Sequence, residues 1–142
     1  MRVVLDTSVI VAAVRSSSGA SRQLLLAALE GRFELLLSVP LTLEYEAVLK
    51  RPEQIAASHA TVQEVDKLLD ALIARSKPVK RTFFWRPLLR DSNDDMVLET
   101  ALSGLADLLV TFNERDFRLA ASMVGVELLT PREALKRIKE EK

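Results

Sequence analysis

The chain has no cysteine. That removes disulfides, thiolate zinc sites and cysteine nucleophiles together, and it suits a cytoplasmic protein. It has one histidine, His59, set in Ala56-Ala57-Ser58-His59-Ala60-Thr61, where a solvated residue at a helix end is expected. Basic and acidic residues number 20 each, for a formal charge of zero. No global field therefore draws a polyanion, and a nucleic-acid partner has to be held by a local patch. No apolar run approaches the ~20 residues that a membrane-spanning helix needs. The N-terminus lacks the basic region, apolar stretch and small-residue site of a signal peptide. Linkers, repeats and low-complexity tracts are also missing, so residues 1–142 are expected to form one domain.

What remains is the composition of a folded protein with a real core: 142 residues, 49% hydrophobic and 28% charged. Val3-Val4-Leu5 is a short apolar run suited to a strand covered on both faces. Helix is expected over Val9–Val14 and Ser21–Leu29, interrupted by Ser16-Ser17-Ser18-Gly19 and stopped near Gly31. Phe33–Leu37 reads as a second strand. A helix from Pro40 to about Lys50 ends before Pro52, because the residue preceding proline disfavours helix. Val62, Val65, Leu68, Leu69, Leu72 and Ile73 recur at helical spacing. A further helix is expected over Asp94–Leu105, then strands at Ala106–Thr111 and Val126–Leu129. Thr130-Pro131-Arg132-Glu133 reads as a capping box opening a last helix. Strands alternating with helices imply an α/β fold, a three-layer α/β/α sandwich around a central parallel sheet.

Within that layout, carboxylates stand beside apolar sequence at four places. Asp6 ends the first strand, and Asp116 follows the strand at Leu108–Thr111. Ligands of open parallel sheets collect beyond those carboxyl ends. Aspartate is also a favoured helix cap, so Asp6 alone reads equally as the N-cap of the helix after it. On a helix, positions 41, 44, 45 and 48 share a face, which sets Glu44 on the stripe of Leu41, Tyr45 and Val48 while Glu46 points to solvent. Asp95 shares a face with Leu98 and Leu102, and Asp94 or Asp91 can cap that helix. Carboxylates gathered at one end of a sheet repel one another. A hard divalent cation relieves that repulsion, and all-oxygen ligands select Mg²⁺ or Mn²⁺ over zinc. Such ions promote phosphodiester hydrolysis by activating water and screening charge, chemistry that needs no histidine.

Three other small α/β classes fit less well. A receiver domain needs a phosphorylatable aspartate ending a middle strand, where this chain has Leu37-Ser38. A haloacid-dehalogenase-type phosphatase needs a second aspartate in Asp6-Thr7-Ser8. A dinucleotide binder needs a glycine-rich turn after the first strand, and none is present.

Four blocks, in order and at matching spacing, resemble the PIN-domain family, and more narrowly its VapC-like toxin components. They are Val3-Val4-Leu5-Asp6-Thr7-Ser8, then Ser38-Val39-Pro40-Leu41-Thr42-Leu43-Glu44, then Arg90-Asp91-Ser92-Asn93-Asp94-Asp95-Met96-Val97-Leu98, and Ala106–Phe117. The resemblance implies a ribonuclease dependent on one or two Mg²⁺ or Mn²⁺ ions. Its acidic quartet falls on Asp6, Glu44, Asp95 and Asp116, supported by Thr7, Ser8, Thr111 and Asp94. Many relatives carry aspartate where this chain has Asn113, and asparagine also occurs there. Its carbonyl can ligate a hard cation without charge, and Asp116 is the natural substitute for the missing carboxylate. The resemblance further implies an RNA substrate and a small antitoxin partner. Exposed apolar helix residues suit a homodimer equally well. The alternative is a catalytically weak or inactive PIN domain serving as an RNA-binding or protein-binding scaffold.

From Ala71 to Arg90 there is no acidic residue, while Arg75, Lys77, Lys80, Arg81, Arg86 and Arg90 are interleaved with Phe83, Phe84 and Trp85. Lys80, Arg81, Arg86 and Arg90 are the expected phosphate contacts, and the aromatics would stack on unpaired bases. The competing reading buries the aromatics against the sheet. A second basic run, Lys136-Arg137-Ile138-Lys139, is expected as a solvated helix face.

Overall fold

The computed structural model describes residues 1–80 and 92–140, leaving aside the side chains at 92–95, 119, 120, 123 and 124. Val3, Val4 and Leu5 have no exposed surface, as expected for a strand covered on both faces, and they form the centre of the sheet. This is β1 (Arg2–Leu5). It is followed by α1 (Thr7–Arg15), α2 (Ala20–Leu29), β2 (Glu34–Leu37), α3 (Val39–Leu49), α4 (Pro52–Ser58), α5 (Val62–Arg75) and β3 (Lys77–Pro78). Then come α6 (Ser92–Ser103), β4 (Leu108–Val110), α7 (Glu114–Val124), β5 (Glu127–Leu129) and α8 (Pro131–Glu140).

Among the described residues the sheet has five strands, all parallel, in the order β3-β2-β1-β4-β5. From β1 the chain winds outwards through β2 to β3, then crosses back to β4 on the other side of β1 and winds to β5. The winding direction reverses between β1 and β4, which opens a crevice past their carboxyl ends. Helices flank the sheet to give a three-layer sandwich. In one group α2 packs against α1, α5 and α8; in another α6 packs against α7. No described helix is long and apolar enough to cross a membrane.

Local chemistry accounts for most boundaries. Gly31, with φ of 75°, closes α2 in the left-handed conformation open to glycine. Thr130 and Glu133 form the expected capping box of α8, with bonds of 2.9 and 3.3 Å. A second box, between Thr61 and Glu64, opens α5. The α5 stripe is narrower than its spacing suggests: Val65, Leu69 and Leu72 are buried, while Val62 and Ile73 are exposed.

Three elements depart from the sequence reading. Pro52 ends α3 as expected but also serves as the first residue of α4, where its missing N–H costs nothing. The two-residue β3 ends in proline, which its place at the edge of the sheet accommodates. Helix α7, which the pattern did not single out, buries Phe117 and Ala121 one turn apart among its described side chains, and stops at Gly125 with φ of 76°.

Gly104 lets the end of α6 approach the sheet closely. A Cβ there would lie 2.7 Å from Leu36 Cδ1 and 2.8 Å from Val79 Cγ2. The Leu36 side chain has no exposed surface into which to retreat. Gly104→Ala is therefore expected to destabilise the fold by about 1–3 kcal/mol through overpacking. Urea denaturation measures this, and unchanged stability would contradict so tight an approach.

Candidate functional site at the β1–β4 crevice

Asp6 follows the last residue of β1 and is only 4% exposed. The register pairs Leu5 with Val110, so one step further along Asp6 and Thr111 stand side by side. Thr111 Oγ1 donates to Asp6 Oδ2 at 2.7 Å, and Ser8 Oγ donates to the same oxygen at 2.7 Å. Thr111 Oγ1 in turn accepts the Asn113 N–H at 2.9 Å. The backbone of Asp6 is fixed as well, its N–H donating to the Val110 carbonyl at 2.9 Å. Asp6 occupies the N-cap position of α1, yet its side chain makes no capping bond. The capping explanation of this carboxylate therefore fails. Thr7, expected to help support it, has a buried hydroxyl with no hydrogen-bond partner among the described residues; Ser8 and Thr111 supply the bracing.

The residue after Glu44 ties α3 to the same end of the sheet. Leu41, Tyr45 and Val48 are buried along α3, and Glu44 is half-buried beside them. The Tyr45 hydroxyl donates to the Leu5 carbonyl, joining the residue after Glu44 to the residue before Asp6. Burial pushes the Tyr45 phenol well above its usual range, and the nearby Asp6 carboxylate raises it further. Glu46 is more engaged than a solvated residue: Lys50 Nζ lies 3.0 Å from it and 2.6 Å from Asp66, tying α3 to α5. Hydrogen bonds to Asp66 and then Glu46 raise the Lys50 pKa.

Asp94 and Asp95 lie in the first turn of α6, with their carboxylates outside the described side chains. A buried relay anchors that helix. Leu41 N–H donates to Ser38 Oγ at 3.2 Å, Ser38 and Thr100 hydroxyls meet at 2.7 Å, and Thr100 Oγ1 donates to the Met96 carbonyl at 2.8 Å. The start of α3 is thereby joined to the residue after Asp95. Neither Tyr45 nor Thr100 stands out by sequence as a site residue. Tyr45 carried a usable signal, because the chain's one tyrosine on an apolar stripe must find its hydroxyl a partner.

Asn113 and Asp116 sit differently. Asn113 is exposed at the N-cap of α7 with no side-chain capping bond, and Asp116 is exposed in that helix's first turn. Both line an open cavity of about 440 Å³, together with Phe112, Arg115 and Arg118. Among the described residues no three acidic or imidazole side chains lie close enough to hold a metal, a statement that does not include Asp95. Lys80 is exposed. Arg81, Arg86 and Arg90, with Phe83, Phe84 and Trp85, lie outside the described residues. His59 is exposed at the end of α4. Arg137 is structural, not merely solvated: it grips Glu127 of β5 through two bonds of 2.9 and 2.8 Å.

The Tyr45 clamp has a measurable signature. Tyr45→Phe is expected to lose about 1–3 kcal/mol at neutral pH, because the Leu5 carbonyl loses its donor. The folded chain also holds the phenol protonated above its unfolded pKa of about 10. Its contribution is thus complete below pH ~10 and declines as pH rises beyond that. Urea denaturation at neutral and alkaline pH should show the variant losing less stability on the alkaline side; identical pH profiles would refute the clamp.

The donors at this crevice are oxygen, and the one at its centre is a buried carboxylate oriented by two hydroxyls, a set that suits a hard divalent cation. A search among curated proteins finds no match. A family profile described as PIN domain matches residues 2–115, spanning Asp6, Glu44, Asp95 and Asn113 and stopping one residue short of Asp116. PIN domains are generally nucleases and typically use divalent metals. A match over most of the chain, on a parallel sheet with this crevice, places the protein in the PIN-domain family.

Proposed function

We propose that this protein is a metal-dependent endoribonuclease that cleaves RNA phosphodiester bonds, acting as the toxin of a type II toxin–antitoxin pair. The observation that carries the reading is Asp6: a buried carboxylate at the sheet's switch point that does not cap its own helix. Asp6, Glu44 and Asp95 would hold one or two Mg²⁺ or Mn²⁺ ions, with the Asn113 carbonyl and Asp116 completing the set. When bound, such a cation screens the phosphate charge and activates the attacking water. The chain's own contribution is placement. Ser8 and Thr111 orient Asp6, the Tyr45 clamp positions Glu44, and the Ser38–Thr100 relay sets the start of α6. Lys80, Arg81, Arg86 and Arg90 would hold flanking phosphates.

Toxin action implies a cytoplasmic protein and a small antitoxin partner. Exposed Val39, Leu43 and Ile73 line an apolar groove of about 360 Å³ with Pro78, a surface suited to an antitoxin or a second copy of the chain. One observation favours the scaffold reading instead: Asn113 brings a neutral side chain where many relatives carry a carboxylate.

Asp6→Asn separates the two. It keeps a hydrogen-bond acceptor for Ser8 and Thr111 while removing one negative charge. RNA cleavage in Mn²⁺ is expected to be abolished. Metal-free stability should be unchanged or up to about 1 kcal/mol higher, because carboxylate repulsion is relieved. Gel assays with Mn²⁺ or chelator, paired with calorimetry, read both outcomes. Wild-type protein that leaves RNA intact in Mn²⁺ would decide for the scaffold, and a large metal-free loss of stability would make Asp6 structural.

A further inference from the structure

Thr100 is 2% exposed, in a stretch of α6 where Val97, Leu98 and Ala101 are also buried. A threonine there carries a hydroxyl into an apolar layer, which is costly unless the hydroxyl finds partners. Thr100 Oγ1 donates to the Met96 carbonyl, one turn back, at 2.8 Å and meets Ser38 Oγ at 2.7 Å. A hydroxyl has a single proton. That of Thr100 is committed to Met96, so Ser38 is the donor between the two. Ser38 Oγ in turn accepts the Leu41 N–H at 3.2 Å. The order from Leu41 N–H through Ser38 and Thr100 to the Met96 carbonyl therefore runs in one direction, with neither hydroxyl proton left over. Free space beside it is narrow: about 10 Å³ next to Ser38, Pro40 and Met96, no more than one water molecule requires. Bulk solvent does not readily replace a partner lost here.

Both ends of this chain of hydrogen bonds adjoin residues of the proposed site. Leu41 stands three residues before Glu44 on the same face of α3, and Met96 directly follows Asp95. Helix α3 is itself fixed to β1 by the bond from Tyr45 to the Leu5 carbonyl. We infer, on the strength of the endoribonuclease reading, that Thr100 is a positioning residue for the metal site. Its hydroxyl holds the first half of α6 in a set relation to α3, so that Asp95 and Glu44 meet the cation together. Thr100 touches neither metal nor substrate, and it is the hydroxyl, not the methyl group, that carries this role.

Titration of the protein with Mn²⁺, following the free ion by electron paramagnetic resonance, reads the site without turnover. Thr100→Val keeps the side chain's shape, removes its hydroxyl and leaves the Ser38 proton without its acceptor. It is expected to weaken Mn²⁺ binding on the order of tenfold. Thr100→Ser keeps the hydroxyl and should bind like wild type. Ser38→Ala breaks the same chain, so the double variant Ser38→Ala/Thr100→Val should bind no more weakly than the weaker single variant. Thermal melts without metal establish which variants fold; should Thr100→Val not fold, Ser38→Ala set against Thr100→Ser carries the comparison. A residue that only stabilises the fold would lower the melting temperature and leave the Mn²⁺ affinity of the folded protein unchanged. That result, or losses that add in the double variant, overturns the inference. If wild type binds Mn²⁺ and the variants bind it equally well, the positioning role fails and the nuclease reading stands. If wild type binds no Mn²⁺, both fail.

Discussion

The hydrogen bond from Tyr45 to the Leu5 carbonyl joins the two halves of the candidate site. Each partner is the immediate neighbour of an acidic residue, Tyr45 of Glu44 and Leu5 of Asp6. In the proposed site these two carboxylates, from elements forty residues apart in the chain, would repel one another. A buried phenol bonded to a buried strand carbonyl opposes that repulsion, because breaking it leaves polar groups unsatisfied in an apolar interior. The raised phenol pKa has the same origin: the environment that makes the bond hard to break also disfavours a negative oxygen there.

The same principle recurs around the crevice. Asp6 is held by hydroxyls from Ser8 and Thr111, and α6 is anchored by the pair formed between Ser38 and Thr100. These groups are uncharged, so they orient neighbouring elements without cancelling the negative charge a cation would meet. Charged pairs join other elements: Lys50 with Glu46 and Asp66 between α3 and α5, and Arg137 with Glu127 between α8 and β5. On α3, Glu46 braces the fold through Lys50, and Glu44 adjoins the tyrosine of the clamp.

The core of the fold was legible because it rests on local patterns. Val3-Val4-Leu5 is a short apolar run of the kind that suits a strand covered on both faces, and the α5 spacing and Thr130 box name their own helices. What escaped depends on tertiary context. Helix α7 buries Phe117 and Ala121 one turn apart among its described side chains, packing that only the fold reveals. Pro52 reads as a stop until it is seen also to start α4, and a two-residue edge strand carries almost no pattern. At the site, Asp6 stood out by position, but capping could be set aside only once its side-chain bonds were known. Glu44 was singled out by its place on an apolar stripe, and the fold buries that stripe at Leu41, Tyr45 and Val48. Asp116 was singled out by its order in the chain, and the fold sets it in the open cavity of α7, a location that depends on a helix the pattern did not reveal.

The proposed divalent-cation site in the crevice between β1 and β4 is built on Asp6. The most direct measurement is anomalous diffraction at the manganese edge from crystals grown with Mn²⁺. A peak is expected within coordinating distance of Asp6, shared with Glu44 and Asp95. A manganese-saturated crystal with no peak at Asp6, or with its ion bound elsewhere, would contradict it.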